Sequence, residues 1–509
     1  MNQSRVKVLT LAAMCSALFM TNTDDTVLNV ALPQIQTSLG SDVSGLQWIL
    51  NAYTLPAASL ALTSGTFGDT YGRKRLFLAG VAIFMVASVI CGCATHMGIL
   101  ITGRVLQGIG AVALIPTSLS ILTHTFPKPQ EQTQAIAIWS AVSALALIAG
   151  PVIGGLLVDV FGWQSTFFMN IPFGAIAFWI TTRFVNEAQH KRRRYIDLPG
   201  LILSVVVLAA LTYALIEGNT QTWRSPLILG LFAIAGVSFV TFLIVEFRST
   251  HPLLPINLFK NPSFSVVNGV HVLVMFTFIS SLFIFSLFLQ QVQGYSAIAA
   301  GVRFLPLNGA FVVALLISGW LAARVGWRLT MTVGLTLAGL ATLSFVGLRA
   351  DTEYGTMVWM LVVSGFGGGL TLPPLAAVAM SVAPPSQAGI ASAVLNTTNR
   401  LGGILGVALQ GTILMQRQAA ELVRSLSAWN LPSNLQNQLI TEVLRNGAKL
   451  PANLPANINP SKLQHAIHNA FVSGLHATVV VAGIALLIGA LLVWAFIPST
   501  VHRENQVKV

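Results

Sequence analysis

Apolar segments follow one another along most of the chain and are separated by short polar loops. An α-helix needs about 20 mostly apolar residues to span the hydrocarbon core of a bilayer. Segments of this kind lie at 8–32, 46–67, 76–95, 98–123, 133–158, 165–184, 199–217, 226–246, 264–290, 302–322, 329–348, 357–381, 390–415 and 473–497. The pattern predicts fourteen transmembrane helices, and the even number places both termini on one side of the membrane.

Composition supports a membrane protein and excludes several other classes. Of the 509 residues, 54% are hydrophobic and only 8% are charged, whereas soluble domains carry about 25% charged residues. All three cysteines lie in apolar segments, so no secreted disulfide framework is expected. His465, His468 and His476 lack an accompanying acidic or thiol ligand, so we expect no metal site. The expected fold class is an all-α membrane protein.

The net charge of +12 is distributed unevenly between the two sides of the predicted bundle. Seventeen lysines and arginines fall in the segments on the side of the termini, including the HKRRRY run within 185–198, and three fall in the six short loops opposite. Basic residues accumulate in cytoplasmic loops. Both termini are therefore predicted to be cytoplasmic, and the basic charge indicates a bilayer rather than a nucleic-acid partner.

Two parts of the sequence repeat at a nearly constant offset. The segment GTFGDTYGRK at 65–74 returns in degraded form as GWLAARVGWR at 319–328. A Gly-x-Gly pattern followed by proline occurs at 108–116 and returns at 365–373. Parallel repeats are typical of transporters that bind substrate between two halves and rock them to alternate access. We therefore predict a transporter with three parts: an N-terminal six-helix bundle at 1–190, a linker with two inserted helices at 191–260, and a C-terminal six-helix bundle at 261–509 that includes an extracytoplasmic segment at 416–472.

The loop after the second predicted helix combines glycines with charges. Glycine permits a tight turn between closely packed helix ends, and an aspartate can pair with an arginine or with a helix N-terminus. We interpret this loop as a cytoplasmic gate formed by Gly65, Asp69, Gly72, Arg73 and Lys74.

The fifth predicted helix carries small residues around a proline, namely Gly150, Pro151, Gly154 and Gly155. Small residues allow neighbouring helices to approach closely, and proline bends a helix. We interpret this segment as a hinge at a moving interface between the halves.

Four charged residues lie inside predicted helices: Asp24, Asp25, Arg104 and Arg400. A charge at this depth costs at least a few kcal/mol, so each residue is a candidate for function. A transporter driven by the proton gradient needs a group that gains and loses a proton within the membrane. Adjacent carboxylates titrate as a coupled pair, and we expect proton coupling to depend on these four residues.

Polar and aromatic residues on the same helices are candidates for lining a substrate cavity. Helical spacing places Asp25 on one stripe between two asparagines, which favours a position facing the cavity. His271 stands alone among apolar residues and is either a core residue or a proton carrier. The cavity candidates are Asn22, Asn29, Trp48, Tyr53, Gln107, His271, Asn396 and Asn399.

Taken together, these segments resemble the major facilitator superfamily. The first-helix segment DDTVLNVALP at 24–33 is similar to the signature of its fourteen-helix drug:proton antiporter branch, and the motifs at 65–75, 150–155 and 170–172 match as well. The resemblance covers nearly the whole chain. The chain departs from the family pattern at Thr23, Thr70, Gln164, Ser165 and Ala323, which leaves the core signature intact and removes charges from the gate.

The resemblance implies a proton-coupled antiporter that exports lipophilic, cationic drugs or toxic compounds by alternating access. It further implies a monomer in the bacterial cytoplasmic membrane, with protons as the coupling ion and no other cofactor. Alignment with the family signature places its characteristic acid at Asp24, whereas helical spacing favours Asp25. Asp24 is the preferred coupling acid, and Asp25 is the candidate for attracting a cationic substrate. Arg400 resembles the family's Asn-x-x-x-Arg pattern.

Other functions stay open. The same family contains exporters of a cell's own products, such as siderophores, antibiotics or lipids, and a metabolite importer is a weaker alternative. A membrane-embedded enzyme is not expected, because such an enzyme needs a catalytic dyad or a metal cluster at a membrane face, and His124 and Glu131 are too far apart in sequence to form one.

Overall fold

The computed structural model describes residues 3–187, 197–249, 253–254, 256–384, 387–429, 431–446, 448, 450, 454 and 458–499. Within these ranges the chain forms helices and no strand. The helices are α1 Gln3–Leu39, α2 Val43–Tyr71, α3 Arg73–Gly92, α4 Met97–Thr125, α5 Pro129–Phe161, α6 Ser165–Phe168, α7 Asn170–Phe184, α8 Leu198–Glu217, α9 Pro226–Arg248, α10 Ile256–Phe259, α11 Pro262–Leu287, α12 Ala297–Arg303, α13 Leu305–Val325, α14 Trp327–Ser344, α15 Tyr354–Val382, α16 Ala388–Ser427, α17 Ser433–Asn446 and α18 Pro460–Phe496. A π-helical turn, Phe288–Val292, continues α11.

Local sequence signals explain where many of these helices begin and end. The side chains of Asp42, Ser225 and Asn261 accept hydrogen bonds from backbone N–H groups of the first turns of α2, α9 and α11, which satisfies donors that have no partner within the helix. Gly72 and Gly326 end α2 and α13 at φ values of 99° and 90°, a backbone region that favours glycine. These two glycines occupy equivalent places in the sequence repeat.

All fourteen predicted spans coincide with helices. Among the described residues, eleven helical segments are long and apolar enough to cross a membrane. The other three predicted spans fall on α2, α7 and α16, which are shorter or more polar than the rest. The prediction of an all-α membrane protein is confirmed, with two local differences: the predicted span 165–184 is divided into α6 and α7, and the span 302–322 is divided at Phe304 between α12 and α13.

The segment 416–472 contains more helix than the apolar pattern indicated. Helix α16 continues to Ser427, α18 begins already at Pro460, and α17 lies between them. These extensions bury Leu422, Leu426 and Leu463, so their helical conformation is stabilised by packing against one another rather than by the membrane.

The two six-helix halves repeat the same helix packing. In the N-half, which comprises α1–α7, the contacts are α3 with α4, α2 with α4, α1 with α5, and α1 with α7. In the C-half, which comprises α11–α18, the equivalent contacts are α14 with α15, α13 with α15, α11 with α16, and α11 with α18. A methyl group at Gly108 would overlap the carbonyl of Tyr53, and one at Gly365 would overlap the carbonyl of Leu307. The glycines of the repeat therefore permit the same close helix approach in both halves.

The inserted helices α8 and α9 pack against each other, and α8 also contacts α2 and α16. Thr412 of α16 donates a hydrogen bond to the carbonyl of Leu215 at 2.7 Å, and Trp48 of α2 donates one to Glu217 at 2.8 Å. Helix α8 therefore spans the seam between the two halves. The basic run before α8 and the predicted boundary at 190 lie outside the described residues.

Candidate functional site

A buried ion pair lies inside the N-half. Nη1 of Arg104 on α4 is 2.5 Å from Oδ2 of Asp24 on α1, and the two side chains are 1% and 2% exposed. Arg104 also donates to the carbonyl of Ile49 at 3.1 Å and to Oε1 of Gln107 at 2.9 Å. Removing two charges from water is costly, and direct pairing with additional hydrogen bonds offsets that cost.

Amides complete the surroundings of this carboxylate. Asn170 on α7 donates to Oδ1 of Asp24 at 2.8 Å, and Gln107 approaches the same oxygen at 3.5 Å. Gln107 also donates to Ser88 on α3 at 2.8 Å. Sequence reasoning assigned no site role to Ser88 or Asn170, although Asn170 belongs to the family motif at 170–172. Helices α4 and α7 therefore contact Asp24 on α1 directly, and α2 and α3 join the same network through Arg104 and Gln107.

The neighbouring carboxylate points the other way, because successive residues of an α-helix are rotated by about 100°. Oδ2 of Asp25 lies 3.5 Å from Nη1 of Arg400 on α16, and the side chains of Arg400 and Asp25 are 19% and 33% exposed. This pair joins the N-half to the C-half. The ring of Tyr53 lies close to both guanidinium groups, 4.3 Å from that of Arg104 and 5.9 Å from that of Arg400. The four predicted intramembrane charges thus form two pairs that meet at one aromatic ring.

Other predicted cavity residues lie around these pairs. Asn22 donates to Ser143 on α5 at 2.7 Å, and Asn29 donates to the carbonyl of Asp25 at 3.1 Å. Asn396 is exposed and precedes Arg400 by one helical turn, which places it on the same face of α16.

His271 on α11 contacts residues of α16. Its Nε2 is 3.3 Å from Nδ2 of Asn399, and its Nδ1 is 3.3 Å from the hydroxyl of Thr398. His271 is therefore held by polar contacts between two helices of the C-half.

Trp48 occupies a different place from the one predicted. Its indole N–H donates to Glu217, and its ring lies 5.6 Å from that of Tyr213 on α8. It therefore joins α2 to the inserted helix and does not meet the two ion pairs. Trp48 precedes Tyr53 by five residues, and the rotation of the helix between them directs the two rings to different neighbours.

The predicted cytoplasmic gate contains a contact that sequence reasoning missed. The carboxylate of Glu187 accepts backbone N–H groups of Lys74 and Arg75, both at 3.1 Å, and thereby caps α3. The ammonium of Lys74 donates to the carbonyl of Thr182 at 3.0 Å. Beside this cap lies a cavity of about 410 Å³ whose lining includes Arg73 and Glu187. Gly65 and Asp69 lie in α2, but their surroundings are outside the described part of the structure.

The predicted hinge in α5 packs tightly on two sides. A methyl group at Gly154 would lie 2.9 Å from the carbonyl of Val27 on α1, and one at Gly155 would lie 2.5 Å from the carbonyl of Ala297 on α12. Pro151 lies inside α5, and its carbonyl would overlap a methyl group at Gly301 of α12. Gly155 and Pro151 therefore form a close contact between the two halves, whereas Gly150 and Gly154 pack against Thr26 and Val27 inside the N-half.

Asp159 extends the contact between α5 and α12. Its Oδ1 accepts the N–H of Ala297 at 3.1 Å, and its Oδ2 accepts the N–H of Ile298 at 2.9 Å. A carboxylate at the N-terminus of a helix interacts favourably with the helix dipole. Sequence reasoning missed Asp159, because an acid at the end of an apolar helix gives no sign of its partner in the other half.

Further polar contacts between the halves lie on the outer side, which we define as the side opposite the chain termini. Gln47 donates to the carbonyls of Val407 and Ala408 at 2.7 and 2.8 Å. Ser286 donates to the carbonyl of Asn29 at 2.5 Å, and Gln291 donates to Gln36 at 2.7 Å. In α1 these partners come after Asp25 and so lie nearer the outer end. The halves are thus joined from the level of Asp25 outwards.

Comparison with known proteins agrees with this architecture. The sequence model of the Major Facilitator Superfamily matches residues 14–407. The multidrug resistance protein Stp of Mycobacterium tuberculosis (strain CDC 1551 / Oshkosh) is 32% identical, with 99% of this chain and 94% of the relative covered. The methylenomycin A resistance protein of Streptomyces coelicolor is 34% identical over 83% of this chain and 91% of the relative. The tetracenomycin C resistance and export protein of Streptomyces glaucescens is 32% identical, covering 94% and 90%.

Solved structures show the same fold. A bacterial homologue of the human lysosomal transporter Spinster, in an inward-facing and unoccupied conformation, superposes with a TM-score of 0.67 at 19% identity and covers 97% of this chain and 96% of its own. Two repeated helical halves, with one ion pair inside the N-half and one between the halves, are typical of a secondary transporter. The chain belongs to the major facilitator superfamily. It is a multi-pass membrane protein and a transporter rather than an enzyme.

Proposed function

We propose that this transporter is a proton-coupled antiporter that exports lipophilic, cationic compounds by alternating access. The observation that carries the proposal is the placement of Asp24 and Asp25. One carboxylate is paired with Arg104 inside the N-half, and its neighbour is paired with Arg400 across the halves. A single turn of α1 therefore connects a buried ionisable pair to the interface that must open and close.

We assign proton binding to Asp24. A proton on this carboxylate removes the charge that compensates Arg104, and Arg104 is only 1% exposed, so bulk water does not reach it to take the place of its partner. An uncompensated buried charge is strongly unfavourable, so protonation favours a rearrangement of α4 against α1. In this way a proton shifts the balance between two conformations.

We assign attraction of the cationic substrate to Asp25. Two adjacent carboxylates at low dielectric repel each other, and a positive charge near one of them makes ionisation of the other easier. Arrival of a cation at Asp25 therefore favours release of the proton from Asp24, and departure of the cation favours proton binding. This reciprocal effect is the requirement for antiport.

The names of the relatives support export, since they include multidrug resistance and antibiotic resistance and export proteins. The same relatives favour one second candidate, which is export of an endogenous product such as an antibiotic. We further propose a bacterial cytoplasmic membrane location with both termini cytoplasmic, protons as the coupling ion, and a monomeric unit.

The test is accumulation of ethidium in inside-out vesicles that are energised with a proton gradient. Wild type is expected to accumulate ethidium, a protonophore to abolish the accumulation, and Asp24→Asn to abolish it as well. Glu421→Gln is the matched control, because Glu421 pairs with Arg424 on the outer part of α16, far from α1. Accumulation that persists with the protonophore, or in the Asp24→Asn protein, contradicts proton coupling at this residue.

A further inference from the structure

We propose that the guanidinium group of Arg400 occupies the position in which the transported cation binds, so that Arg400 acts as an internal substitute for the substrate. This inference rests on the proposed function, because it assigns the binding position of the cationic substrate. It concerns the arrangement in which the halves are joined through Asp25 and Arg400.

The contacts of Arg400 are those that an organic cation would need. Its Nη1 lies 3.5 Å from Oδ2 of Asp25, and its guanidinium carbon lies 5.9 Å from the centre of the Tyr53 ring. A carboxylate supplies the opposite charge, and the face of an aromatic ring attracts a cation within about 6 Å of its centre. Tyr53 is 1% exposed, so its ring becomes available to a ligand only after neighbouring side chains move.

Comparison with the second ion pair indicates that Arg400 can be displaced. Arg104 is 2.5 Å from its carboxylate, is 1% exposed and has further partners in Ile49 and Gln107. Arg400 is farther from its carboxylate, and both members of its pair are partly exposed. The Arg400–Asp25 pair is longer and more exposed than the Arg104–Asp24 pair, so a ligand that brings its own cation replaces Arg400 at a lower cost than it would replace Arg104.

The backbone that carries Arg400 is held in place, so the movement required is that of a side chain. Two residues further along α16, a methyl group at Gly402 would lie 2.5 Å from the carbonyl of Val272, and six residues further along, one at Gly406 would overlap the carbonyl of Phe276. Helices α11 and α16 are therefore in close contact directly beyond Arg400. The long, rotatable arginine side chain can move towards Asn396 on its own helix while its Cα stays fixed.

This arrangement defines the ligand class. A weakly hydrated cation on an apolar body interacts favourably with both the carboxylate of Asp25 and the ring of Tyr53. A neutral compound of the same shape makes neither of these electrostatic interactions. It also explains how an empty transporter can close, since Arg400 neutralises Asp25 when no cargo is present. Loss of Arg400 is therefore expected to strengthen binding of the cation and to impair transport.

The experiment measures equilibrium binding of radiolabelled tetraphenylphosphonium to the purified full-length protein at pH 8.5 without a gradient. Arg400→Gln is expected to lower the Kd roughly tenfold, because the ligand no longer competes with an internal cation. Arg400→Lys is expected to bind as wild type does. The double variant Arg400→Gln with Asp25→Asn is expected to lose the increased affinity for tetraphenylphosphonium. Neutral triphenylphosphine oxide is expected to bind wild type and Arg400→Gln with the same Kd.

Arg303→Gln is the matched control. Arg303 also lies over aromatic rings, 3.5 Å from the centre of Tyr295 and 5.0 Å from that of Tyr354, but on the outer side of the C-half. Its substitution is expected to leave the Kd unchanged, and a thermal melt of each variant confirms folding. If wild type binds tetraphenylphosphonium and folded Arg400→Gln binds it no better, this inference is overturned and the proposed function stands. If neither protein binds it, the cationic substrate class and this inference both fail.

Discussion

The two halves share their helix packing but not their charges. Gly154 meets the carbonyl of Val27 in the N-half, and Gly406 meets the carbonyl of Phe276 in the C-half. This match makes α11 the equivalent of α1 and aligns Asp24 with Leu273. The Gly-x-Gly repeat likewise aligns Arg104 with Leu361. The two positions that carry the buried ion pair in the N-half are therefore both occupied by leucine in the C-half.

This difference separates the small residues that let the helices pack from the charged residues that we propose to bind the proton and the substrate. Close helix approach occurs in both halves, because each half packs its own helices against one another, and the small residues that permit it occur in both halves. A buried ion pair is costly in a membrane, and among the described residues we find one in the N-half and none in the C-half. From the C-half, Arg400 forms an ion pair across the interface, and His271 lies at the position equivalent to Asn22.

The largest expected effect comes from breaking the buried pair. Arg104→Leu leaves Asp24 without its partner, and loss of one member of a buried pair costs roughly 3–5 kcal/mol. The combination of Arg104→Leu with Asp24→Leu imitates the C-half and is expected to recover most of that stability while transport stays absent. Thermal unfolding in detergent and vesicle transport measure the two outcomes. A double variant less stable than the single one contradicts the comparison between halves.

The shared packing predicts equal effects in the two halves. Gly154→Val and Gly406→Val each place atoms against a carbonyl of the neighbouring helix, and overpacking of this kind costs typically about 1–3 kcal/mol. The two variants are expected to lower the midpoint of thermal unfolding by similar amounts. Gly269→Ala on α11 is the control, because nothing lies within 4 Å of the added methyl group. A loss confined to one half would show that the repeat does not preserve its packing.

A smaller effect is expected at the outer contact between the halves. Asp159→Ala removes both acceptors for the N-terminus of α12, and an exposed carboxylate at this position contributes roughly 0.3–1 kcal/mol. The distance between the halves is measured with spin labels at Thr95→Cys and Asp351→Cys, in a background without the three native cysteines. The Asp159→Ala variant is expected to show a larger population of long distances than the protein that keeps Asp159. Glu353→Ala is the control, since Glu353 precedes α15 without capping it through its side chain. Identical distance distributions would exclude a role for Asp159 in closure.

The smallest effect on ligand binding is expected at Trp48. Trp48→Phe keeps an aromatic ring and removes one hydrogen bond to Glu217, which contributes roughly 1.5–3 kcal/mol because the acceptor is charged. A loss of thermal stability is expected, with unchanged affinity for tetraphenylphosphonium. A clear loss of affinity for tetraphenylphosphonium would instead support the prediction that Trp48 lines the substrate cavity.

Much of the fold was predictable because the bilayer restricts a spanning segment to one conformation, the helix, in which all backbone groups are satisfied. The apolar pattern therefore located the eleven helical segments of the described chain that are long and apolar enough to cross a membrane, and the repeat indicated which helices are equivalent. It did not reveal the extent of α16 and α18 beyond the membrane, because those residues are amphipathic and fold against one another. The cost of burying charge was enough to single out Asp24, Asp25, Arg104 and Arg400, because each of them interrupts an apolar segment.

The sequence by itself determined the class of protein, the positions of its long apolar helices and the charged residues that the membrane makes costly. Only the tertiary structure decided their partners: Asp24 with Arg104, Asp25 with Arg400, Trp48 with Glu217, and Asp159 with the start of α12. The physical reason is that hydrophobicity acts on each segment separately, whereas an ion pair depends on the rotation and depth of two helices that lie far apart in the chain. Those quantities are set by packing across the whole bundle.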